Sequence, residues 1–434
     1  MRVHVDTGPE ALFHLTYCTN IHPGNGWSEV YANLQRYGPA LKQRLAPDAH
    51  FGIGLRLSGK ESRELLHGDR LQQFLQFLQV QGLYVFTLNG FPYGPFHQLP
   101  VKANVYTPDW RDDERVQYTL RLIEILAFLL PDGVEGSIST CPLAYKGVDV
   151  GAYLAADLSE ASRASGVGRL DKRPGLTPAL LTPAMWECFT RNMVQVAEVL
   201  VRLKQECGKF ICLALEPEPD CLLENSDEVA QFYTRWLLTT GAEMLASALA
   251  ISKEQACYHL LEHIRVCLDT CHMAVTYEEP AVALERFERI GIKVGKVQLS
   301  SALKITFPDD ELSRAEISRA LEPFAESTYL HQVVQQNRDG TFERYPDLVM
   351  PCASDCHMEQ WRVHFHVPIF IGHFSLFQST QDVIIAMLRL LMQKRFCRHL
   401  EIETYTWNVL PDELKIDVAS MIAREYEWVL GKLL

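Results

Sequence analysis

The sequence predicts an α/β fold, a closed (β/α)8 or TIM barrel, from three observations. Short apolar runs rich in β-branched and aromatic residues alternate with longer segments of helical periodicity. There are eight such alternations, which is the number that a closed parallel barrel needs. Several of the short runs are apolar throughout, as expected of parallel strands that are buried on both faces. An open doubly wound sheet is the alternative.

The chain order of the elements follows from these runs and from local start and stop signals. The strands are predicted at 13–19, 51–57, 83–88, 135–140, 210–216, 264–269, 292–299 and 400–405. The helices are predicted at 28–45, 65–80, 114–130, 185–206, 227–249, 254–263, 280–290, 310–324, 380–395 and 412–433. Ser28 is a typical N-cap, Ser252 and Gln255 have capping-box spacing, and Gly208 is placed to end a helix.

Two regions exceed a minimal barrel. Residues 152–183 are polar and contain Gly, Ser, Arg and Pro, which predicts a long loop or lid. Residues 327–374 contain additional β-like segments and are predicted to form an insertion between the seventh and eighth strands. Long structured insertions often form or cover an active site. We interpret residues 1–434 as a single barrel domain with these two additions.

The composition restricts the partners and the compartment. Lys and Arg total 41 against 54 for Asp and Glu, so the formal net charge is −13. An acidic protein is a poor partner for nucleic acid or for an anionic membrane surface. Because no apolar run approaches the roughly 20 residues of a membrane helix, we expect no membrane insertion. The 12 cysteines lack a disulfide-framework spacing and the N-terminus lacks a signal-peptide pattern, so we expect a cytoplasmic protein.

Four of the predicted strands end on side chains that can bind a metal ion. These side chains are Glu216, Asp269, Gln298 and Glu403. The carboxyl ends of barrel strands open on one side of the barrel, so we expect the four to meet. Three carboxylates without compensation repel one another, and a divalent cation removes that objection. Oxygen-rich ligation favours Mg or Mn, whereas nearby imidazoles leave Zn or Fe open, and Co is a further candidate.

Histidines and an asparagine lie near the same strand ends. His272 follows Asp269 by three residues, and His364 and His366 alternate along one predicted strand and so share a face. The candidate substrate-binding residues are His22, Asn89, His272 and His364. A helix-capping or core-packing role is the alternative for each of these residues and for each strand-end carboxylate.

With these residues identified, the chain resembles the xylose isomerase-like barrel superfamily, which includes sugar-phosphate isomerases and epimerases. The resemblance implies metal ligands of the types Glu, Asp, His and Glu on the fifth to eighth strands. Matching positions are Glu216 in LALEPEP, Asp269 in DTCHMAV and Glu403 in ETY. Gln298 stands where the resemblance implies a histidine. The fourth ligand is then either Gln298, through its carbonyl oxygen, or His366 from the insertion.

The resemblance extends along the whole chain to the EboE family of metabolite-traffic proteins. The phrases that carry it include HLTYCTNIHPG, LYVFTLNGFPYGPFH, EPEPDC, DTCHMAV, RVHFHVPIF and ETYTWNVLP. That family belongs to a bacterial gene cluster implicated in moving a small-molecule precursor toward the periplasm. It therefore implies a family and a fold more directly than a reaction.

The sequence predicts a metal-dependent isomerase or epimerase acting on a small polyhydroxylated carbonyl compound, such as a sugar or sugar phosphate. The metal polarises a substrate oxygen, Glu216 and Glu403 transfer the proton, and His272 hydrogen-bonds a substrate oxygen. A non-catalytic metabolite carrier on the same barrel is one alternative. An endonuclease-type phosphodiester hydrolase is another, and the acidic balance disfavours it.

Overall fold

Eight parallel strands form a barrel in the computed structural model of the protein, which describes residues 1–4, 12–97, 101–146, 181–410, 412 and 415–433. Neighbouring strands pair in chain order, and the eighth strand also pairs in parallel with the first. A parallel bridge between Cys18 and Gly54 completes the ring between the first and second strands. The predicted (β/α)8 barrel is confirmed. In order, the barrel strands are Leu12–Tyr17, Phe51–Arg56, Leu83–Asn89, Gly136–Thr140, Ile211–Leu215, Ile264–Asp269, Val294–Leu299 and His399–Ile402.

The closing bridge depends on a glycine. A Cβ atom on Gly54 would lie 1.9 Å from Oε1 of Glu401 and 2.7 Å from the carbonyl oxygen of Tyr17. Both distances are far below van der Waals contact, so a side chain here would push the first two strands apart. The short strand Arg2–His4 pairs antiparallel with the first barrel strand.

The helices surround the barrel between its strands. They are Trp27–Leu45, Gly59–Leu65, Arg70–Gln81, Asp113–Leu129, Pro183–Cys207, Ser226–Phe232, Ala242–Leu249, Lys253–His263, Thr270–Val275, Pro280–Ile290, Glu311–Leu321, Gln381–Lys394 and Val418–Leu433. A π-helical segment, Tyr233–Gly241, joins two of them where the sequence predicts one continuous helix over 227–249. The predicted helix 65–80 begins only at Arg70, and a separate helix, Gly59–Leu65, precedes it and starts at the capping box of Ser58 and Glu61.

The insertion forms a second, antiparallel sheet of six strands. The seventh barrel strand leads directly into its first strand, so the two sheets are joined at the mouth of the barrel. This sheet begins and ends beyond the predicted limits of 327–374. Its strands are Ser301–Thr306, Val333–Asn337, Phe342–Tyr345, Met358–Val367, His373–Phe374 and Phe377–Ser379.

Two sequence expectations bear on the remaining segments. Residues 152–180 of the predicted loop or lid lie outside the described residues. Within the described ranges, no helix combines the length and apolar character needed to cross a bilayer.

Candidate metal centre

Three carboxylates meet at the mouth of the barrel. Glu216 follows the fifth strand, Asp269 is the last residue of the sixth, and Glu403 follows the eighth. One oxygen atom from each carboxylate lies within 4.8 Å of the oxygens from the other two, and all three side chains are buried. The strand ends open on one side of the barrel, which is why residues distant in the sequence converge here.

Asp269 is held through only one of its two oxygens. Oδ1 accepts hydrogen bonds from the amides of Cys271 (2.8 Å) and His272 (3.0 Å) and from the Ser300 hydroxyl (2.5 Å). Burial opposes ionisation, but the neighbouring His272 and His366 rings and these hydrogen bonds bring the pKa of Asp269 below its ordinary value. Oδ2 has no hydrogen-bond partner among the described residues. Asp269 is therefore a fixed carboxylate with one free oxygen.

Glu403 is held by three side-chain amides. Oε1 accepts hydrogen bonds from Asn20 and Asn89, each at 2.8 Å, and Oε2 accepts one from the amide nitrogen of Gln298. The other end of that amide, Oε1 of Gln298, accepts the Cys267 thiol at 2.6 Å. Burial, followed by the charges of Asp269 and Glu401, raises the pKa of Glu403 well above its ordinary value. The amides therefore fix the orientation of Glu403.

Glu216 is the least constrained of the three carboxylates. Its Oε2 atom is buried and has no hydrogen-bond partner in the part of the chain that the structure describes. Burial raises the pKa of Glu216 well above its ordinary value, and the charges of Glu403 and Asp269 raise it further. Mutual repulsion thus opposes the simultaneous ionisation of the three groups, and a divalent cation reverses that preference.

Three histidines lie beside the carboxylates, and each uses Nδ1 for a hydrogen bond to an oxygen atom. The acceptors are the Pro217 carbonyl for His272 (3.0 Å), the Gln332 side chain for His364 (2.8 Å) and the Glu403 carbonyl for His366 (2.7 Å). Such bonds fix the orientation of a metal-binding imidazole and leave Nε2 available. Nε2 of His366 has no partner within the described ranges, and burial lowers the pKa of His366 to about 4.

The insertion places two of these histidines over the barrel. His364 and His366 lie on Met358–Val367, where alternate residues share a face. The pairing of this strand with Ser301–Thr306 shifts register between Val363 and Val367. Irregular pairing of this kind redirects side chains, and here it lies at the segment that carries both imidazoles.

The described residues contain four groups of His, Cys, Asp and Glu side chains that are close enough to hold a metal ion. One consists of the three carboxylates, and another combines Asp269 with His272 and His366. A third combines Glu218 with His272 and His364. The fourth combines Cys271 with His364 and His366. The donor types are those that divalent metals use in proteins.

A cavity opens above this cluster. It encloses about 520 Å³ including its mouth, and Glu216, Glu403, His272, His364 and Asn89 are among its lining residues. Aromatic side chains form much of the remaining wall, and they are Phe91, Phe96, Tyr106, Tyr329 and Tyr405. A polar floor with apolar walls is the usual form of a small-molecule site.

Not every predicted site residue reaches this cavity. His22 lines a separate, smaller cavity, donates or accepts at Nε2 with the Tyr17 hydroxyl at 3.0 Å, and stacks on Tyr37. Burial lowers the pKa of His22 to about 3. Gln298 turns its amide nitrogen, not its oxygen, toward Glu403, so its role as a metal ligand stays a prediction that requires the amide to turn.

Glu218 is a cavity residue to which the sequence assigned no role. Its Oε1 accepts the Tyr106 hydroxyl at 2.9 Å, and its buried Oε2 has no partner among the described residues. Burial raises the pKa of Glu218 to about 7. The repeat Glu-Pro-Glu at 216–218 is the only sequence signal for it, because Tyr106 belongs to the 3-10 helix Lys102–Tyr106, which is distant in the sequence.

No protein-family model and no curated protein sequence matches the chain. Solved structures resemble it along its length. A xylose isomerase-like TIM barrel protein from Mycobacterium smegmatis in complex with magnesium is 10% identical, aligns 99% of this chain with 98% of its own, and has a TM-score of 0.48. A 3-keto-D-glucoside 4-epimerase from E. coli is 12% identical, aligns 96% with 99%, and has a TM-score of 0.43.

A D-tagatose 3-epimerase-like protein is 11% identical, aligns 97% of each chain, and has a TM-score of 0.44. All three TM-scores are below 0.5 and the identities are low. The activities of these proteins therefore carry no weight for this chain, and the barrel assignment rests on its own strand pairing.

Proposed function

We propose that the protein is a metal-dependent isomerase or epimerase acting on a small polyhydroxylated carbonyl compound of the sugar or sugar-phosphate class. The main support is the convergence of Glu216, Asp269 and Glu403 beside a cavity that Glu216, Glu403 and aromatic side chains line. Two of their oxygens, Oε2 of Glu216 and Oδ2 of Asp269, are buried without a partner in the described ranges. Because buried polar atoms ordinarily have partners, these two fit the role of cation ligands.

The proposed cation is divalent, and its identity is Mn, Mg, Zn or Co. Glu216, Asp269 and Glu403 supply oxygen ligands, and either His366 or Gln298 supplies the fourth. His366 is better supported, because its Nε2 is free whereas the oxygen of Gln298 already accepts the Cys267 thiol. When bound, such a cation polarises a substrate carbonyl and acidifies the neighbouring proton.

The side chains divide the remaining work. Glu216 is proposed to take the proton at the carboxylate oxygen that does not bind the cation, and Glu403, which also lines the cavity, is proposed as the second carrier. Nε2 of His272 is placed to accept a hydrogen bond from a substrate hydroxyl, with His364 beside it. Asn89 donates a hydrogen bond from its side-chain amide to Glu403 and therefore positions that carboxylate. His22 lies in another cavity and has no part in this mechanism.

A non-catalytic metabolite carrier is the second candidate. Its support is the saturation of Glu403 by three amides, because a carboxylate so held is a better fixed acceptor than a proton carrier. The resemblance to the EboE family of metabolite-traffic proteins points in the same direction. Both candidates act on a small molecule.

We propose that the protein is cytoplasmic. All 12 cysteines are free thiols, and seven of them are buried. Such thiols persist in a reducing compartment.

The test is proton exchange with solvent. The protein is loaded with Mn²⁺ and incubated in D₂O with a panel of free and phosphorylated ketoses, and NMR follows deuterium at the carbon next to the carbonyl. Glu216→Gln is expected to abolish the exchange, and Glu425→Gln, a buried glutamate on the last helix, is the matched control. Exchange that survives Glu216→Gln would contradict the role of Glu216 as the proton acceptor. Binding without any exchange would favour the carrier.

A further inference from the structure

Two imidazole nitrogens face each other beside the carboxylate cluster. Nε2 of His272 lies 3.2 Å from Nε2 of His364, and both rings are buried. At that distance, either one nitrogen carries a proton and donates it to the other, or a cation lies between two lone pairs. The hydrogen bonds on the opposite side of each ring decide which nitrogens are protonated.

The His272 ring donates from Nδ1. Its partner there, at 3.0 Å, is the carbonyl oxygen of Pro217, which can only accept. Nδ1 of His272 is therefore protonated. In the neutral ring Nε2 then carries a lone pair, and that lone pair points toward His364.

The His364 ring has the same arrangement. Its Nδ1 lies 2.8 Å from Oε1 of Gln332. The orientation of that amide is fixed, because Nε2 of Gln332 lies 2.8 Å from the Tyr106 hydroxyl and 3.3 Å from the Pro219 carbonyl, which only accepts. Nδ1 of His364 therefore donates to the oxygen, and its Nε2 also carries a lone pair.

Two facing lone pairs match the geometry of a shared metal ion. Zinc binds imidazole nitrogen at about 2.0–2.1 Å, so two tetrahedral ligands lie about 3.3 Å apart. The observed 3.2 Å agrees with that separation. A third donor lies nearby, because Glu218, His272 and His364 each offer one ligand atom within 4.8 Å of the others, and Oε1 of Glu218 lies 3.6 Å from Nδ1 of His364. Oε2 of Glu218 is buried and has no partner among the described residues.

We infer that Glu218, His272 and His364 form a second cation site. Its three ligands are different from Glu216, Asp269 and Glu403, which hold the first cation. Two imidazoles and one carboxylate favour Zn²⁺ or Co²⁺ over Mg²⁺. All three ligands line the cavity, so an ion bound here faces the substrate space. When this ion is bound, Nε2 of His272 contacts the ion and not the substrate hydroxyl. The inference depends on these hydrogen bonds and not on the proposed reaction.

The test is the number of ions bound per chain. The full-length protein is stripped with a chelator, reloaded with Zn²⁺, desalted and measured by elemental analysis. We expect about two ions per chain for the wild type and about one for His364→Asn. Asparagine keeps a donor for Gln332 in place of Nδ1 but has no counterpart of Nε2. The substitution thus removes the ligand and keeps the hydrogen bond.

His331→Asn is the matched control. His331 is buried in the same insertion, its Nδ1 lies 2.9 Å from the His364 carbonyl, and its Nε2 faces Glu326. It should bind as many ions as the wild type. Glu216→Gln reports on the carboxylate site separately and is expected to lose the other ion. Loss of the carboxylate site and loss of the second site therefore appear in different variants.

The inference is overturned if His364→Asn binds as many ions as the wild type, which is also the result expected if the two rings share a proton. Should His364→Asn fail to fold, X-ray absorption of Zn²⁺-loaded Glu216→Gln, which is expected to keep only the second ion, decides. A zinc bound by two imidazoles supports the second site, and zinc with fewer than two overturns it.

Discussion

Gln298 donates the hydrogen bond that joins the seventh barrel strand to Oε2 of Glu403, and it accepts the Cys267 thiol of the sixth strand at its other end. One amide therefore connects three neighbouring strands at the barrel mouth. The residue types explain the direction of the bond, because a carboxylate can only accept and a thiol donates to the amide oxygen.

Gln298→Glu is expected to destabilise the protein by about 1–3 kcal/mol in the presence of a chelator. The substitution replaces a donor with a second carboxylate beside Glu403. A divalent cation should recover part of the loss. The measurement is urea unfolding with and without Mn²⁺. In the control, Gln335→Glu, the buried amide lies on the inserted strand Val333–Asn337 and bonds to Asn337 and Trp361, not to Glu403, and Mn²⁺ should recover nothing there.

The buried ion pair between Lys296 and Glu401 predicts a second effect. Both side chains are fully buried inside the barrel. Lys296→Met leaves the carboxylate without its counter-charge and is expected to cost about 3–5 kcal/mol in urea unfolding. Lys296→Met combined with Glu401→Met should cost less than Lys296→Met alone. Lys253→Met breaks an exposed pair with Glu243 and should cost less than about 1 kcal/mol.

Stability should fall as the pH rises through neutrality, because of Glu425. Burial raises the pKa of this carboxyl to about 7, although Thr404 and the Ile369 amide donate to it. The folded state therefore holds the proton above the pH at which an unfolded glutamate loses it, and stability present at acidic pH is lost through neutrality. Relative to Glu425→Gln, the wild type should lose up to about 3 kcal/mol between pH 4.5 and pH 8.

Denaturant unfolding at several pH values measures this difference. Glu427→Gln, at an exposed position on the same helix, is the control for a change of charge. Parallel pH curves for the wild type and Glu425→Gln would contradict the assignment.

Removal of divalent metal is expected to lower the melting temperature. In the metal-free protein, the ionised carboxylates of Glu216, Asp269 and Glu403 repel one another. A cation that binds only the folded state stabilises that state. At about 100 times the dissociation constant the gain is about 2.7 kcal/mol. Calorimetry with increasing Mn²⁺ measures it. Asp269→Asn should reduce the gain, and an equal gain in Asp269→Asn and wild type would speak against the carboxylate site.

The sequence by itself determined the eight strands and the polar residues at their ends. Those features depend on local patterns, such as the apolar run that ends at Asp269 and the one that Glu216 follows. A strand that is buried on both faces has five or six consecutive apolar residues, so it can be recognised from the local sequence alone.

Only the tertiary structure decided how the ends are used. The amide of Gln298 faces Glu403, His364 faces His272, and His22 lies in a separate cavity. Each outcome depends on hydrogen bonds between residues far apart in the chain or on the register of the inserted sheet. The sequence shows which hydrogen-bond donors and acceptors exist. Their pairing depends on the fold, because each buried polar atom needs a partner among the atoms that the fold brings next to it.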